Sequence, residues 1–261
     1  MLEQPQLLTK PVKLLLVLTA FFIANTIVAE FIGTKIFSLE ALFGFSPLNL
    51  KIFGVEGLGL NLTAGVILWP VVFVMTDIIN EYYGEKVVRF LSYLAVGIVV
   101  FAFVMVYLSI SLPPNEWWQY QSGTLGANSI PDMQVAFKKI MGQGLWIIVG
   151  SMVAFLFGQI LDVFIFHKIK AITGEGRLWL RATGSTLVSQ AIDSYIVLLI
   201  AFWIGSDWEL SRILAIGTVN YIYKGVVAIF MTPIIYFIHD VIENYLGHSQ
   251  ATLMKSSAMK A

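Results

Sequence analysis

The sequence predicts an all-α integral membrane protein: six transmembrane helices in a compact bundle around a central polar site, with both termini cytoplasmic. Composition is the first ground. The 261 residues are 58% hydrophobic and 12% charged, against roughly 25% charged in soluble domains. Lipid has to be the solvent for so much apolar surface. Segmentation is the second ground, because six runs approach the ~20 apolar residues that a spanning helix needs. Charge placement is the third, since lysines and arginines gather on alternate connections. The sixteen basic and sixteen acidic residues balance, which argues against a nucleic-acid partner. Without cysteine there is no disulfide framework, no thiolate metal site and no cysteine nucleophile.

The expected spans are 12–33, 63–81, 87–112, 145–167, 180–204 and 210–236. About ten mixed residues precede the first run, and no small-residue cleavage site follows it. That run reads as a retained helix rather than a signal peptide. The connection 38–61 carries Gly44, Pro47, Gly54, Gly57 and Gly59 and reads as a short hairpin or a re-entrant segment. The second span holds Trp69 and closes on Gly84, a plausible helix terminator. Connection 113–139 is the longest. It has Pro113-Pro114, then a Ser/Gly/Asn-rich stretch, then 133–141 as a short interfacial helix. In the fourth span Gly150, Ala154 and Gly158 form a small-residue ridge that lets a neighbouring helix approach closely. No Pro/Ser-rich linker interrupts the chain, so residues 1–261 are taken as a single transmembrane domain.

Orientation follows from the positive-inside rule. The termini and the second and fourth connections hold Lys10, Lys13, Lys86, Arg89, Lys168, Lys170, Arg177, Arg181, Lys255 and Lys260. The other connections hold Lys35, Lys51, Lys138, Lys139 and Arg212. The richer side is cytoplasmic. Trp117, Trp118, Trp146, Trp203 and Trp208 fall at the opposite face, as an aromatic belt does.

Two charges lie in mid-span. Asp193 is twelve residues after Arg181, and Lys224 is twelve after Arg212. At 1.5 Å per residue both are about 18 Å from opposite faces, hence at about one level. A charge at that depth costs about 2.5–3.5 kcal/mol on insertion scales. Asn25, Gln159, Gln190 and Asn220 reach the same layer. Ser185, Ser189 and Asp193 share one helix face, as do Gly217, Asn220, Lys224 and Ala228. The pattern small-Gln-x-x-Asp occurs at Gly158–Asp162 and again at Ser189–Asp193, by duplication or by chance. Asp193 and Lys224 are either a ligand-exchangeable pair or a packing clamp, and Asn25 and Asn220 are either ligands or interhelical glue. A clamp is hard to justify, because replacing a buried ion pair by apolar residues is often neutral or stabilising. Trp69 is placed to stack on a planar ligand. His167, His239 and His248 show no metal-ligand spacing and read as interfacial.

The second span ends in Asp77-Ile-Ile-Asn-Glu81-Tyr-Tyr-Gly84, with both carboxylates on one face. This stretch resembles the signature of the queuosine precursor transporter family, also described as vitamin-uptake-transporter-like. Ser189-Gln190 with Asp193, and Asn220-Tyr221, Lys224, Thr232-Pro233 and Tyr236, support it. The resemblance covers roughly 25–236 and implies import of 7-cyano- or 7-aminomethyl-7-deazaguanine across a bacterial inner membrane by a multi-pass protein. Such a nucleobase-like substrate offers N1–H and an exocyclic amine, which a carboxylate accepts in a fork. Its carbonyl takes a donor such as Lys224, Gln or Asn, and its ring takes an aromatic face.

The candidate substrate-binding residues are therefore Asn25, Trp69, Asp77, Glu81, Gln159, Asp162, Gln190, Asp193, Asn220 and Lys224. Asp162 and Asp193 are the first choice for the fork. Asp77 and Glu81 are expected lower, at the cytoplasmic mouth, as a gate or release site. No cofactor, metal or catalytic residue is implied. Zinc-protease, nucleophile-elbow and P-loop motifs are absent from the sequence, so the chain does not read as an enzyme. The alternative is the substrate-binding subunit of a multi-component ATP-driven vitamin transporter, for which Ala20 and Ala24 offer only a common helix-packing pattern. A channel also stays open, as do a homo-oligomeric state and the energy source.

Overall fold

A computed structural model describes residues 9–120, 130–142, 144–174 and 177–259 of the chain. The first eight residues, most of the expected Ser/Gly/Asn-rich stretch, and Lys260 lie outside them.

Helix α1 (Lys10–Ile32) begins with a proline in its first turn, where the missing N–H costs nothing, and crosses the bundle. A small β-structure follows. Strand β1 (Ile36–Ser38) leads into a single turn, α2 (Leu39–Leu42), and then into a hairpin of β2 (Leu50–Ile52) and β3 (Val55–Leu58). Strand β4 (Asn61–Thr63) returns antiparallel to β1, with Phe37 opposite Leu62. Of the two expectations for 38–61, the hairpin is the one formed. Phe53 and Gly54 both have positive φ, 49° and 80°, as a two-residue turn between right-twisted strands demands. Glu40 ties the structure together: its carboxylate accepts from the Leu60 N–H at 2.7 Å and the Ser38 hydroxyl at 3.0 Å. The Leu60 amide holds the Glu40 carboxyl below its ordinary value.

After a 3₁₀ turn (Ala64–Ile67) comes α3 (Trp69–Tyr83), which stops at Gly84 with φ 86°. Helix α4 (Glu85–Ser111) starts at the next residue, with Glu85 and Arg89 ion-paired across its first turn. Two outer helices follow, α5 (Glu116–Gln119), capped by Asn115, and α6 (Met133–Met141), capped by Asp132. The long helix α7 (Leu145–Thr173) turns at Gly174 into α8 (Leu178–Leu198), which continues as a π-helical turn to Ile204. Helix α9 (Leu210–Leu246) contains Pro233, and α10 (His248–Ala258) folds back beyond Gly247.

Among the described residues five helices are long and apolar enough to cross a membrane: α1, α4, α7, α8 with its π turn, and α9. The expected second span is shorter than its apolar run suggests. Residue 63 is in a strand and 64–67 are 3₁₀, so only fifteen helical residues remain, about 22 Å. Its length is tolerated because it is central rather than lipid-facing. Residues 76–82 are buried without a break. Val72, Ile78, Ile79 and Tyr82 join Phe22 of α1, Val88 of α4, Phe166 of α7 and Ile242 of α9 in one core. Phe21, Phe101, Phe157, Phe230 and Phe237 point outward, as apolar side chains do where lipid is the solvent.

The small-residue ridge of α7 meets α8. A Cβ at Gly150 would stand 3.0 Å from the Val197 carbonyl oxygen, and one at Gly158 would stand 3.6 Å from Asp193 Cβ. Both chain ends of the described residues meet at one end of the bundle: the Lys10 ammonium donates to the Tyr245 carbonyl at 2.7 Å, and the Tyr83 hydroxyl to the Pro11 carbonyl at 2.6 Å. There α10 rests on α3. Lys255 bonds Glu243 and lies 5.4 Å above the Tyr82 ring.

Candidate functional site

Helices α3, α8 and α9 enclose a pocket of about 520 Å³ counted to its open mouth. Each wall is one helix face. Trp69, Phe73 and Asp77 come from α3 at i, i+4, i+8; Thr183, Thr186 and Gln190 from α8; Tyr223, Lys224, Val227 and Met231 from α9. The lining is largely apolar with a few convergent polar groups, the usual make-up of a small-molecule site. Trp69 is braced from behind by Phe73 and by Phe155 of α7, ring centres 6.3 and 5.7 Å away.

The polar groups of the pocket differ in how they are engaged. Thr183 shares a hydrogen bond with Thr232 at 2.8 Å. Lys224 is ion-paired with Asp193, both side chains about one-fifth exposed. Gln190 is different. It is buried, yet neither its amide oxygen nor its amide nitrogen has a partner among the described residues. Asp77 Oδ1 is likewise buried and unpartnered. Buried polar atoms are nearly always bonded, and a group left without a partner costs about 1–3 kcal/mol. Two such side chains facing one pocket mark it as a place where a polar ligand completes the bonding.

A second polar layer lies behind the wall. Asp162 of α7 accepts from the Ser189 hydroxyl at 3.1 Å, and the Ser185 and Thr186 hydroxyls also reach it. The Gln159 amide donates to Thr76 Oγ1 at 3.4 Å. Further along α3, Glu81 is fully buried, and its Oε1 takes Lys170 Nζ at 3.1 Å and an Arg181 nitrogen at 2.8 Å. Arg181 also donates to the Gly174 carbonyl and stacks over Phe166. His167 bonds Asn80 at 2.8 Å, and His239 bonds the Tyr82 hydroxyl at 3.0 Å. On α1 the buried Glu30 accepts from Ser151 at 2.7 Å.

Of the ten residues expected from sequence, the pocket brings together Trp69, Asp77, Gln190 and Lys224, with Asp193 held to Lys224. The other five stand elsewhere. Asn25 is half-buried and donates to the Phe21 carbonyl of its own helix at 2.7 Å. Asn220 is half-buried on α9, outside the lining. Gln159 and Asp162 are behind the wall. Glu81 is no solvated mouth residue, because two basic side chains close over it. The pocket-facing carboxylate is Asp77, rather than Asp162 or Asp193. The expected depth difference between Asp77 and Gln190 disappears for a geometric reason. Counted from residue 63, Asp77 is about 21 Å down a helix; counted from the true start at Trp69, it is about 12 Å.

Lys170 and Arg181 read as loop cations in the sequence but are buried: α7 runs six residues past the expected end of its span and carries Lys170 inward, and Arg181, in the first turn of α8, reaches Glu81. His239 is buried too, not interfacial. A signal for Arg181 is present in the sequence: it extends the Ser185–Ser189–Asp193 stripe by one helical turn. Glu30 was missed because it sits at the end of an apolar run, where a carboxylate reads as interfacial.

Residues 63–238 match the model of a family described as "Putative vitamin uptake transporter". The chain is 33% identical over 150 residues to the "Probable queuosine precursor transporter" of Bacillus subtilis, covering 57% of this chain and 59% of that protein. It is 26% identical over 209 residues to the "Queuosine precursor transporter" of Escherichia coli, covering 79% of this chain and 84% of that one. The match to the Haemophilus influenzae "Probable queuosine precursor transporter" is 24% identical and covers 62% and 61%. The chain thus spans about three-fifths of two of these relatives and most of the third. No solved structure matches it significantly.

Proposed function

The chain belongs to the vitamin uptake transporter family, and on that premise we propose that it imports queuosine precursors across the bacterial inner membrane through the pocket between α3, α8 and α9. The substrates in this reading are 7-cyano- and 7-aminomethyl-7-deazaguanine. The observation that carries it is the pair of buried, unpartnered side chains on the pocket, Asp77 and Gln190. Asp77 accepts from N1–H and the exocyclic amine as a charge-assisted fork, the strong kind of hydrogen bond. Gln190 offers both amide N–H donors and a carbonyl acceptor to the rest of the edge. Lys224 donates to the ring carbonyl while staying beside Asp193, so neither charge is stranded when the pocket fills. The Trp69 indole supplies a face for the bicyclic ring.

Six segments cross the bilayer in this reading, the five long helices and α3 with its 3₁₀ lead-in. The termini are cytoplasmic. With Lys170 and Arg181 set aside as buried, Lys10, Lys13, Lys86, Arg89, Lys168, Arg177, Lys255 and Lys260 still outnumber Lys35, Lys51, Lys138, Lys139 and Arg212 in the sequence, which supports that orientation.

The test is equilibrium binding of 7-cyano-7-deazaguanine to purified protein, followed by tryptophan fluorescence, with guanine and adenine as competitors. Saturable binding that adenine fails to displace is expected, because adenine presents an acceptor at N1 where Asp77 needs a donor. Equal competition by adenine overturns the assignment of the edge.

A further inference from the structure

The polar layer behind the pocket is one positive charge short. Asp77, Glu81 and Asp162 are all buried, and the basic side chains buried with them are Lys170 and Arg181. Both cations bond Glu81. Among the described residues no basic side chain is within ion-pair distance of Asp77 or Asp162; Asp162 and Glu81 both repel the Asp77 carboxylate, and the more distant attraction of Arg181 is smaller than either. Burying an uncompensated charge is costly, and two carboxylates sharing a site do not both ionise readily.

Hydrogen-bond bookkeeping gives the same deficit independently. Asp77 Oδ1 and Gln159 Oε1 are buried acceptors without a donor. Gln159 stands one turn before Asp162 on α7, and its amide nitrogen rests on Thr76, next to Asp77. The nearby hydroxyls are already committed: Thr76 to the Val72 carbonyl, Ser185 between the Ala182 carbonyl and Asp162, and Ser189 and Thr186 to Asp162. One added O–H mends both accounts at once, by cancelling the surplus charge and supplying the missing donor.

Other titratable groups on the surrounding elements are engaged elsewhere. Asp193 pairs with Lys224 and Glu243 with Lys255, while Glu30 takes the Ser151 hydroxyl. His167 and His239 are bonded to Asn80 and Tyr82, and Glu85 pairs with Arg89 on α4.

We infer that Asp77 and Asp162 hold a single exchangeable proton between them, and that this proton crosses the membrane with the substrate. The inference rests on the substrate reading above. A ligand that donates N–H groups to Asp77 requires it ionised, so the proton is held on Asp162, behind the wall and out of the ligand's way. Substrate and proton are then bound together, each affecting the other's affinity, as linkage requires. The step is a plain transfer: an O–H bond forms on the carboxyl pair from water on one side and breaks to water on the other.

The experiment uses the full chain in proteoliposomes with labelled 7-cyano-7-deazaguanine. Wild-type protein is expected to exchange label without a gradient and to accumulate substrate about tenfold under one pH unit, alkaline inside, since one proton per substrate carries that factor. A sodium gradient at equal pH should load nothing. Asp162→Asn, which mimics the protonated carboxyl, should keep exchange and lose the tenfold accumulation. Exchange by wild type without loading by the pH gradient, loading by sodium instead, or full accumulation by Asp162→Asn each overturns the proton inference while leaving the substrate reading intact. No exchange by wild type sinks the substrate reading and the inference with it. The wild-type arms decide the matter even where Asp162→Asn fails to fold.

Discussion

Replacing Glu81 by glutamine tests whether the lower end of α3 is a packed interior or a watery gate. Glu81 has no exposed surface, and a single oxygen of it holds Lys170 at 3.1 Å and Arg181 at 2.8 Å. The amide keeps the shape and removes the charge, so two buried cations are left facing each other. Taking one partner from a buried ion pair costs about 3–5 kcal/mol, a large share of the 5–15 kcal/mol typical of a whole domain. At roughly 2–4 °C per kcal/mol for a chain of this size, the apparent melting temperature falls by about 6–20 °C. Thermal unfolding of the detergent-purified protein reads this directly, on the same scan as a control at the exposed pair Lys51–Glu56, where Glu56→Gln moves it little. If Glu81→Gln melts within about 2 °C of wild type, water already reaches the cluster and the description of a closed triad is wrong.

Two further outcomes follow from groups elsewhere in the fold. Lys224→Met weakens binding of the deazaguanine by about 1.5–3 kcal/mol, or roughly 10–150-fold, and strands Asp193. Adding Asp193→Asn restores thermal stability without restoring affinity, and wild-type affinity in that double variant reduces the pair to a clamp. In the hairpin, Glu40 titrates below its ordinary value of 4.5, chiefly through the Leu60 amide. Its stabilisation is therefore fully present above that value and fades as pH falls through the depressed one. Exchange protection of the Leu60 amide should hold from pH 7 to 5 and drop only in stronger acid; a loss near pH 6 refutes the assignment.

Helix periodicity and span length made most of the frame legible. Five of the six expected spans start within two residues of the helices observed, and α6 occupies the expected 133–141. The errors arise where apolar residues do not mean helix, or where charged residues do not mean water. Residues 63–68 are apolar enough to extend a span, yet their backbone is strand and 3₁₀, and that shift misplaced Asp77. Lys170 reads as a loop cation because a lysine near a helix end ordinarily is one. Only the tertiary placement of Glu81 shows why it is buried. Gln190 and Lys224 stand out in the sequence because mid-span polarity is expensive enough to need a reason, and both line the pocket. Asn25 met the same criterion, but a hydrogen bond within its own helix satisfies it.

The central position of α3 also bears on how the protein is made. Its polar groups find partners far along the chain: Asn80 in His167, 87 residues later, Glu81 in Arg181, 100 later, and Tyr82 in His239, 157 later. At synthesis rates of about 5–20 residues per second, those partners emerge from the ribosome about 4–30 s after the segment itself. For that interval a helix of fifteen residues bearing two carboxylates has neither the length to rest in lipid nor the contacts to replace water. Its polar contacts are completed only when α7, α8 and α9 have been made. A chain interrupted before residue 239 leaves its own centre unfinished.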